Sequence, residues 1–145
     1  MKQRSEKMLR DSLSKREDLW FMKIQNIHTT TTPADFIILG LDRHLIEVKE
    51  IDLSKNKIFA FNRLTQKKDL IEFNNCNNKN FAWVLLNFKG PSIKSSFSYL
   101  IPIDVYSHFE NKISKKSINV DDAKSIFKEF QMNVLDGGIW DLYIW

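Results

Sequence analysis

The chain has 145 residues, of which 43% are hydrophobic and 28% are charged, with 22 Lys and Arg against 18 Asp and Glu. These values are typical of a globular domain with a real core, and they exclude disorder throughout the chain. The net charge of +4 is too small to identify an anionic partner by itself. The single cysteine, Cys76, excludes an internal disulfide and a cysteine-based zinc site.

No stretch of the sequence predicts a membrane span or a secretory signal. The longest apolar run, residues 81–86, is too short to cross a bilayer. The first ten residues are charged, and no apolar segment follows them. We therefore expect a soluble, intracellular (cytoplasmic) protein without a membrane partner. A single domain over residues 1–145 is expected, because no repeat or Pro/Gly-rich linker divides the chain.

The hydrophobic pattern of the first half of the chain predicts one helix and three strands. Met8, Leu9 and Leu13 form one apolar stripe, which predicts a helix over residues 2–18. Strands are predicted at residues 19–24, 36–39 and 44–49. Turn residues at positions 40–43 join the last two strands, which are expected to pair as an antiparallel hairpin.

The second half predicts two helices and two strands. A polar loop at residues 51–57 leads to a predicted helix at 61–73, and the apolar run at 81–88 predicts a strand buried on both faces. A returning strand is predicted at 97–103 and a last helix at 120–130. The expected fold class is therefore α/β, with a mixed central sheet flanked by helices. Trp20 and Trp83 are expected in its core.

The residues with the most informative chemistry lie on the predicted hairpin. Glu47 and Lys49 are two positions apart on one strand, so their side chains share a face of the sheet. Asp35 opens the neighbouring strand, which places it across the hairpin from Glu47. We therefore expect two carboxylates to converge at one edge of the sheet.

Two carboxylates about 4 Å apart repel each other by several kcal/mol unless a cation compensates their charge. Oxygen ligands of this kind favour Mg²⁺ or Mn²⁺ over zinc. Such a metal polarises a phosphoryl oxygen and activates water, and Lys49 could orient that water or offset charge in the transition state. The pattern thus predicts phosphodiester hydrolysis. The alternative is an ordinary ion pair at a strand end, which is common and weakly stabilising.

These residues resemble a known motif. Pro33-x-Asp35 followed by Glu47-Val48-Lys49 is similar to the core signature of the PD-(D/E)XK nuclease superfamily, whose fold is a restriction-endonuclease-like mixed sheet with flanking helices. Further features resemble the RecU-type Holliday junction resolvases and their phage-encoded relatives, over roughly residues 6–109. Those features are an acidic residue in the N-terminal helix, a glutamine in the next helix, and the apolar strands that follow, namely Glu6, Gln66, residues 81–88 and residues 99–103.

The resemblance implies a Mg²⁺-dependent DNA endonuclease that resolves four-way junctions, with Mn²⁺ as a substitute. Asp35 and Glu47 would be the principal metal ligands, and the backbone carbonyl of Val48 a further oxygen. Glu6 would contribute to the metal directly or through water, with Glu17 as its rival. Gln66 would orient the nucleophile, Lys49 or nearby DNA.

Basic and hydroxyl side chains near these positions are candidates for contacts with DNA phosphates. Such contacts position DNA without reading its bases, and an ordinary solvated face is the alternative. The candidates are Lys2, Arg4, Lys7, Arg10, Thr31, Arg63, Lys67 and Lys68.

The apolar C-terminal tail, residues 131–145, is expected either to dock on its own domain or to bury against a second subunit. Junction resolvases need two coordinated active sites, so the resemblance favours a homodimer. Two rival functions remain open. The first is a nuclease of the same fold that acts on duplex or flap DNA, and the second is a non-catalytic nucleic-acid-binding module.

Overall fold

The computed structural model describes residues 4–25, 32–55 and 57–145. Within these ranges the chain forms four α-helices, which are α1 (Arg4–Ser14), α2 (Lys67–Cys76), α3 (Ile103–Lys112) and α4 (Val120–Ile126). The strands are β1 (Trp20–Lys23), β2 (Phe36–Leu39), β3 (Arg43–Asp52), β4 (Ile58–Ala60), β5 (Asn80–Lys89), β6 (Phe97–Pro102), β7 (Ser117–Asn119), β8 (Val134–Leu135) and β9 (Ile139–Trp140). None of the described helices is long and apolar enough to cross a bilayer.

Five strands form the central sheet in the order β1-β2-β3-β5-β6. The hairpin of β2 and β3 is antiparallel, as the turn residues predicted. β3 and β5 are parallel, because the chain crosses over between them through β4 and α2. β6 returns antiparallel to β5. The mixed sheet with flanking helices confirms the predicted fold class.

Alternation along each strand divides the core between two faces of this sheet. On one side, here called the α1 face, Ile46 of β3 and Leu85 of β5 pack against Leu9 of α1. On the opposite side, here called the α2 face, Leu45 of β3 packs with Leu70 of α2. α3 and α4 also contribute buried side chains to the α2 face.

The C-terminal tail docks on its own domain. Trp140, Leu142 and Ile144 are buried in the cluster on the α1 face, whereas Tyr143 between them is exposed. The Arg16 guanidinium donates hydrogen bonds to the carbonyls of Leu142 and Ile144, at 3.0 and 2.7 Å. The tail therefore continues the period-two alternation of a strand and closes the core of this chain.

Several predicted boundaries were wrong, beginning with α1, which ends at Ser14 and not near residue 18. β3 extends through Asp52, into the predicted loop, because β5 pairs with it as far as Lys89. The predicted helix at residues 61–73 begins as a single 3₁₀ turn, and α2 starts only at Lys67. The predicted helix at residues 120–130 ends at Ile126, and a 3₁₀ turn follows.

The sequence analysis did not predict α3 or the two-stranded sheets that β4 forms with β7 and β8 forms with β9, and it misplaced one tryptophan. α3 contains β-branched and aromatic residues that favour strands, but Pro102 ends β6 because it lacks an N–H, and the burial of Ile103 and Tyr106 decides for a helix. The placement of Trp20 in the core was wrong, since it is 54% exposed on the edge strand. Trp83 is partly buried against the α1-face cluster.

Candidate active site

Strand register brings Asp35 and Glu47 together. Phe36 pairs with Ile46 at the end of β2, so the next position of the same antiparallel register sets Asp35 opposite Glu47. The Asp35 N–H still donates to the Ile46 carbonyl at 3.1 Å, which holds this geometry just beyond the last strand residue. Side chains at directly opposed positions lie on the same face and interact.

The Asp35 carboxylate continues the ladder where the backbone of β2 has ended. Its Oδ2 accepts a hydrogen bond from the Val48 N–H at 2.8 Å. The N–H and C=O of one strand residue point to the same side of the strand. The Val48 carbonyl therefore points to the edge of β3 that Asp35 occupies, which is where the resemblance placed a further metal ligand.

Glu47 is a buried carboxyl with an unsatisfied oxygen. Only 3% of the residue is exposed, and no residue in the described ranges donates a hydrogen bond to its Oε2. Burial, together with the neighbouring charge of Asp35, raises the pKa of Glu47 to about 8. The Lys49 ammonium lies 3.3 Å from Oε1 and partly opposes that rise. A buried carboxylate oxygen without a partner is costly, so Glu47 Oε2 is open to a further cation in addition to the Lys49 ammonium.

Lys23 joins the site although the sequence analysis did not single it out. Its Nζ lies 3.1 Å from Asp35 Oδ1 and 3.3 Å from Glu6 Oε2, so one ammonium bridges the two carboxylates. Lys23 is the last residue of β1, and β1 pairs with β2 so that the chain reaches Asp35 from the next strand. The signal for Lys23 in the sequence was its position at the end of the predicted strand that precedes Asp35.

The residues present fit a divalent cation held by oxygen atoms. Asp35 and Glu47 supply two opposed carboxylates, one with an unsatisfied buried oxygen, and the Val48 carbonyl faces the same edge. Mg²⁺ is commonly held by one or two carboxylates and several waters. In the described part of the chain, no group of three or more His, Cys, Asp or Glu side chains forms a metal-binding cluster. Glu6 contacts the site through Lys23, and its contribution to the metal, directly or through water, stays a prediction.

Gln66 does not lie within a helix as expected but at the N-cap position of α2. Its side chain is directed inward, and among the described residues its Oε1 has no hydrogen-bond partner although it is buried. α2 covers the sheet face that carries Glu47 and Lys49. Gln66 therefore has a free acceptor on the same side of the sheet as these residues.

The candidate DNA-binding residues fall into three groups. Lys2 and Thr31 lie outside the described residues. Arg63 is beside the site, since its guanidinium donates to the Glu50 carbonyl at 3.3 Å, whereas Lys67 is paired with Glu110 at 2.8 Å. The remaining candidates lie on α1 or at the start of α2 as partly or fully exposed side chains, namely Arg4, Lys7, Arg10 and Lys68.

No protein-family model matches the chain, and no curated protein matches it. Among solved structures, it is similar to Hjc, a Holliday junction resolvase from the archaeal hyperthermophile Archaeoglobus fulgidus, with a TM-score of 0.55 and 18% identity. The match covers 88% of this chain and 91% of the resolvase chain. At this identity the similarity speaks for the fold and not for the activity. The chain thus shares the fold of this resolvase, a mixed α/β sheet flanked by helices, as the motif resemblance implied.

Proposed function

We propose that this protein is a metal-dependent endonuclease that hydrolyses phosphodiester bonds of DNA, with Mg²⁺ as its cofactor and Mn²⁺ as a substitute. The observation that carries the proposal is the buried, unsatisfied carboxyl of Glu47, set opposite Asp35 and 3.3 Å from the Lys49 ammonium. A structural ion pair would not need a second carboxylate at that position, since the added negative charge only raises its cost.

Each side chain of the site would have a separate role in such a reaction. Asp35, Glu47 and the Val48 carbonyl would hold the cation, and the chemistry that it would supply is polarisation of a phosphoryl oxygen and activation of water. Lys49 places a positive charge beside Glu47, where it can orient the attacking water and offset negative charge that grows on the phosphate oxygens. Lys23 holds Asp35 and Glu6 in place between β1 and α1.

We propose four-way DNA junctions as the substrate. The support is the fold shared with Hjc, a Holliday junction resolvase, together with the motif resemblance to resolvases. Arg63 beside Glu50 and the exposed basic residues of α1 supply positive charge on both sides of the site for the DNA backbone. The same fold also suits a nuclease for duplex or flap DNA, which remains the second candidate.

A homodimer is part of this proposal, because cutting two opposed strands of a junction requires two active sites. The edge strand β1 carries an apolar surface that no described element covers. Trp20 and Leu39 are register partners on the α2 face, and Met22 follows on the same side; they are 54%, 40% and 50% exposed. Exposed apolar surface of this kind favours association. Trp20→Ser is expected to shift the sedimentation coefficient from dimer to monomer without unfolding the chain.

The function is tested by offering the purified protein a synthetic four-way junction, a linear duplex and a flap, each with Mg²⁺ or with EDTA. The variants are Asp35→Asn and Lys49→Ala, and Lys79→Ala serves as the control because Lys79 is an exposed lysine before β5, 3.9 Å from Asp42, and is neither a site residue nor a candidate for DNA contact. We expect symmetric nicking of the junction, lost in EDTA and in both site variants, and retained in the control.

Each contrary result identifies a different alternative. Equal cutting of all three substrates would replace the resolvase with a general nuclease of the same fold. Binding without any metal-dependent cutting, at the same strength in wild type and variants, would leave a non-catalytic nucleic-acid-binding module.

A further inference from the structure

A row of polar side chains crosses the α1 face immediately beyond the candidate active site. Glu50 of β3 pairs with Asn87 of β5, and Asn87 pairs with Ser98 of β6, so the three residues occupy one rung of three adjacent strands. Lys49 precedes this rung and projects to the opposite face. Asn87 and Ser98 are 2% and 6% exposed in a face that is otherwise apolar.

Hydrogen bonds run through this row in one direction and end at Glu50. The Ser98 hydroxyl donates to Asn87 Oδ1 at 2.8 Å, and Asn87 Nδ2 donates to the Ser5 hydroxyl oxygen at 2.8 Å. The Ser5 hydroxyl and the Ser5 backbone N–H both donate to Glu50 Oε1, at 2.6 and 3.1 Å. Every donor therefore has a defined acceptor, and the chain of bonds has one possible arrangement.

This network attaches the first turn of α1 to the sheet. The first N–H groups of a helix have no partner within the helix, and here a carboxylate from β3 accepts one of them. Ser5 itself is fully buried, so its hydroxyl cannot turn to water for a replacement partner. Apolar side chains could fill this rung at less cost, but they would not hold Ser5 to the sheet through directional hydrogen bonds.

The next residue after Ser5 is Glu6, the α1 carboxylate that contacts Lys23 at 3.3 Å and through it Asp35. We propose that the network of Ser5, Glu50, Asn87 and Ser98 positions Glu6 at the active site, and that Ser5 and Asn87 are positioning residues for the reaction. This inference rests on the proposed nuclease function. Without the network, the first turn of α1 frays and Glu6 samples positions away from Lys23.

The test compares Ser5→Ala with Ser12→Ala in the full-length protein. Ser12 is the matched control: it lies on the same helix, is 2% exposed, donates to the Met8 carbonyl and accepts the Trp140 N–H, but it is far along α1 from Glu6. Single-turnover cleavage of a four-way junction is measured across a Mg²⁺ titration. We expect Ser5→Ala to lower the maximal rate roughly tenfold and to raise the Mg²⁺ midpoint, with Ser12→Ala near wild type.

The Glu6→Gln background separates positioning from general destabilisation. If Ser5 acts through Glu6, Ser5→Ala causes no further loss in a protein that already carries Glu6→Gln, because the two changes remove the same interaction. Equal fold losses in both backgrounds, or equal losses for Ser5→Ala and Ser12→Ala, would overturn the inference. Asn87→Ala, which acts on Ser5 from the sheet, is the second variant and is expected to follow the same pattern.

Hydrogen exchange of the metal-free protein supplies a readout that needs no activity. Ser5→Ala is expected to speed exchange in the first turn of α1, whereas Ser12→Ala speeds it near Trp140. Unchanged exchange in the first turn would contradict the anchoring role even if cleavage slows. A wild-type protein that cuts no substrate overturns the proposed function and this inference together, while normal cleavage by Ser5→Ala overturns this inference alone.

Discussion

Buried polar groups of the described residues are hydrogen-bonded on one face of the central sheet, whereas several on the other face have no partner. On the α1 face every buried polar side chain is hydrogen-bonded, and these side chains are Ser5, Ser12, His44, Asn87 and Ser98. On the α2 face several buried atoms in the described residues have no partner, and they belong to Glu47, Gln66, Tyr99 and Ser107. Unsatisfied buried groups are costly and rare. The contrast fits a structural role for the polar groups of the α1 face and the proposed chemistry of Glu47 and Gln66 on the α2 face.

The largest expected effect is that of Glu47→Gln on cleavage. The variant removes one of the two opposed carboxylates, so we expect junction cleavage to fall by about 10³-fold or more. Binding of the junction in the presence of Ca²⁺ is expected to change little. Retained cleavage in this variant would move the chemistry away from the α2 face.

The same variant is expected to be more stable than wild type at high pH in EDTA. The pKa of Glu47 rises from 4.5 to about 8 on folding, so its contribution to stability is complete below 4.5 and is lost as the pH rises through about 8. Asp35 and Lys49 are the charged groups that face it. Urea unfolding at about pH 5 and pH 9 should show a pH-dependent loss on the order of 3 kcal/mol in wild type that Glu47→Gln lacks.

On the α1 face, Ile144→Ala is expected to affect stability and not chemistry. Ile144 is fully buried where the tail closes the core, so its truncation should lower the free energy of unfolding by about 2–4 kcal/mol. Tyr143→Ala, at the exposed neighbouring position, is the control and should cost roughly 0.5 kcal/mol or less. Cleavage by folded Ile144→Ala at low temperature is expected to match wild type. A large loss of rate there would mean that the tail also contributes to the chemistry.

Lys23→Gln tests how the two faces are linked, because Lys23 bridges Glu6 of α1 and Asp35 of the candidate site. Removing its ammonium leaves the Asp35 and Glu6 carboxylates without their shared cation, so the site becomes more attractive to Mg²⁺. We expect Mg²⁺ to raise the Tm of this variant more than that of wild type, corresponding to a severalfold gain in affinity. Lys7→Gln, which loses only an exposed pair with Asp11, should behave as wild type. An unchanged response of Lys23→Gln would show that Lys23 does not compete with the metal.

The smallest expected effect concerns His44 of β3, which contacts the last residue of the tail. Its Nδ1 accepts from the Trp83 indole and its Nε2 donates to the Trp145 carbonyl, an arrangement that requires the neutral ring. Burial lowers the pKa of His44 from 6.5, so the unfolded chain binds a proton first and stability falls as the pH drops below 6.5. His44→Gln should unfold in urea with a weaker dependence on pH between about 7.5 and 5.5 than wild type. An identical dependence would place the acid-sensitive group elsewhere.

Local patterns predicted the parts of the site that lie on one hairpin. Glu47 and Lys49 share a face because side chains alternate along any strand, and a turn at residues 40–43 is enough to set Asp35 across from them. Lys23 could not be predicted in the same way. Lys23 reaches Asp35 only because β1 pairs with β2. The sequence of β1 does not indicate which strand it pairs with.

The same distinction applies to helices and to the tail. The apolar stripe of α1 is visible in the sequence, but the hydrogen bonds that hold Ser5 to the sheet come from Glu50 and Asn87, which are more than 40 residues away along the chain. α3 has residues that favour strands and becomes a helix because its buried side chains fill the core beside α2. The sequence left open whether the tail packs on its own domain or against a second subunit. In the structure it packs into the apolar cluster on the α1 face of its own domain.

The sequence by itself determined the mixed α/β fold class, the hairpin and the opposition of Asp35 to Glu47 with Lys49 beside them, because these follow from alternation and turn chemistry within about 20 residues. Only the tertiary structure decided that Lys23 bridges Glu6 and Asp35, that Glu47 retains an unsatisfied oxygen, and that Ser5 is bound by a polar rung across three strands. These depend on strand order, register and burial, which bring together residues that are distant in the chain and therefore leave no periodic pattern to be read.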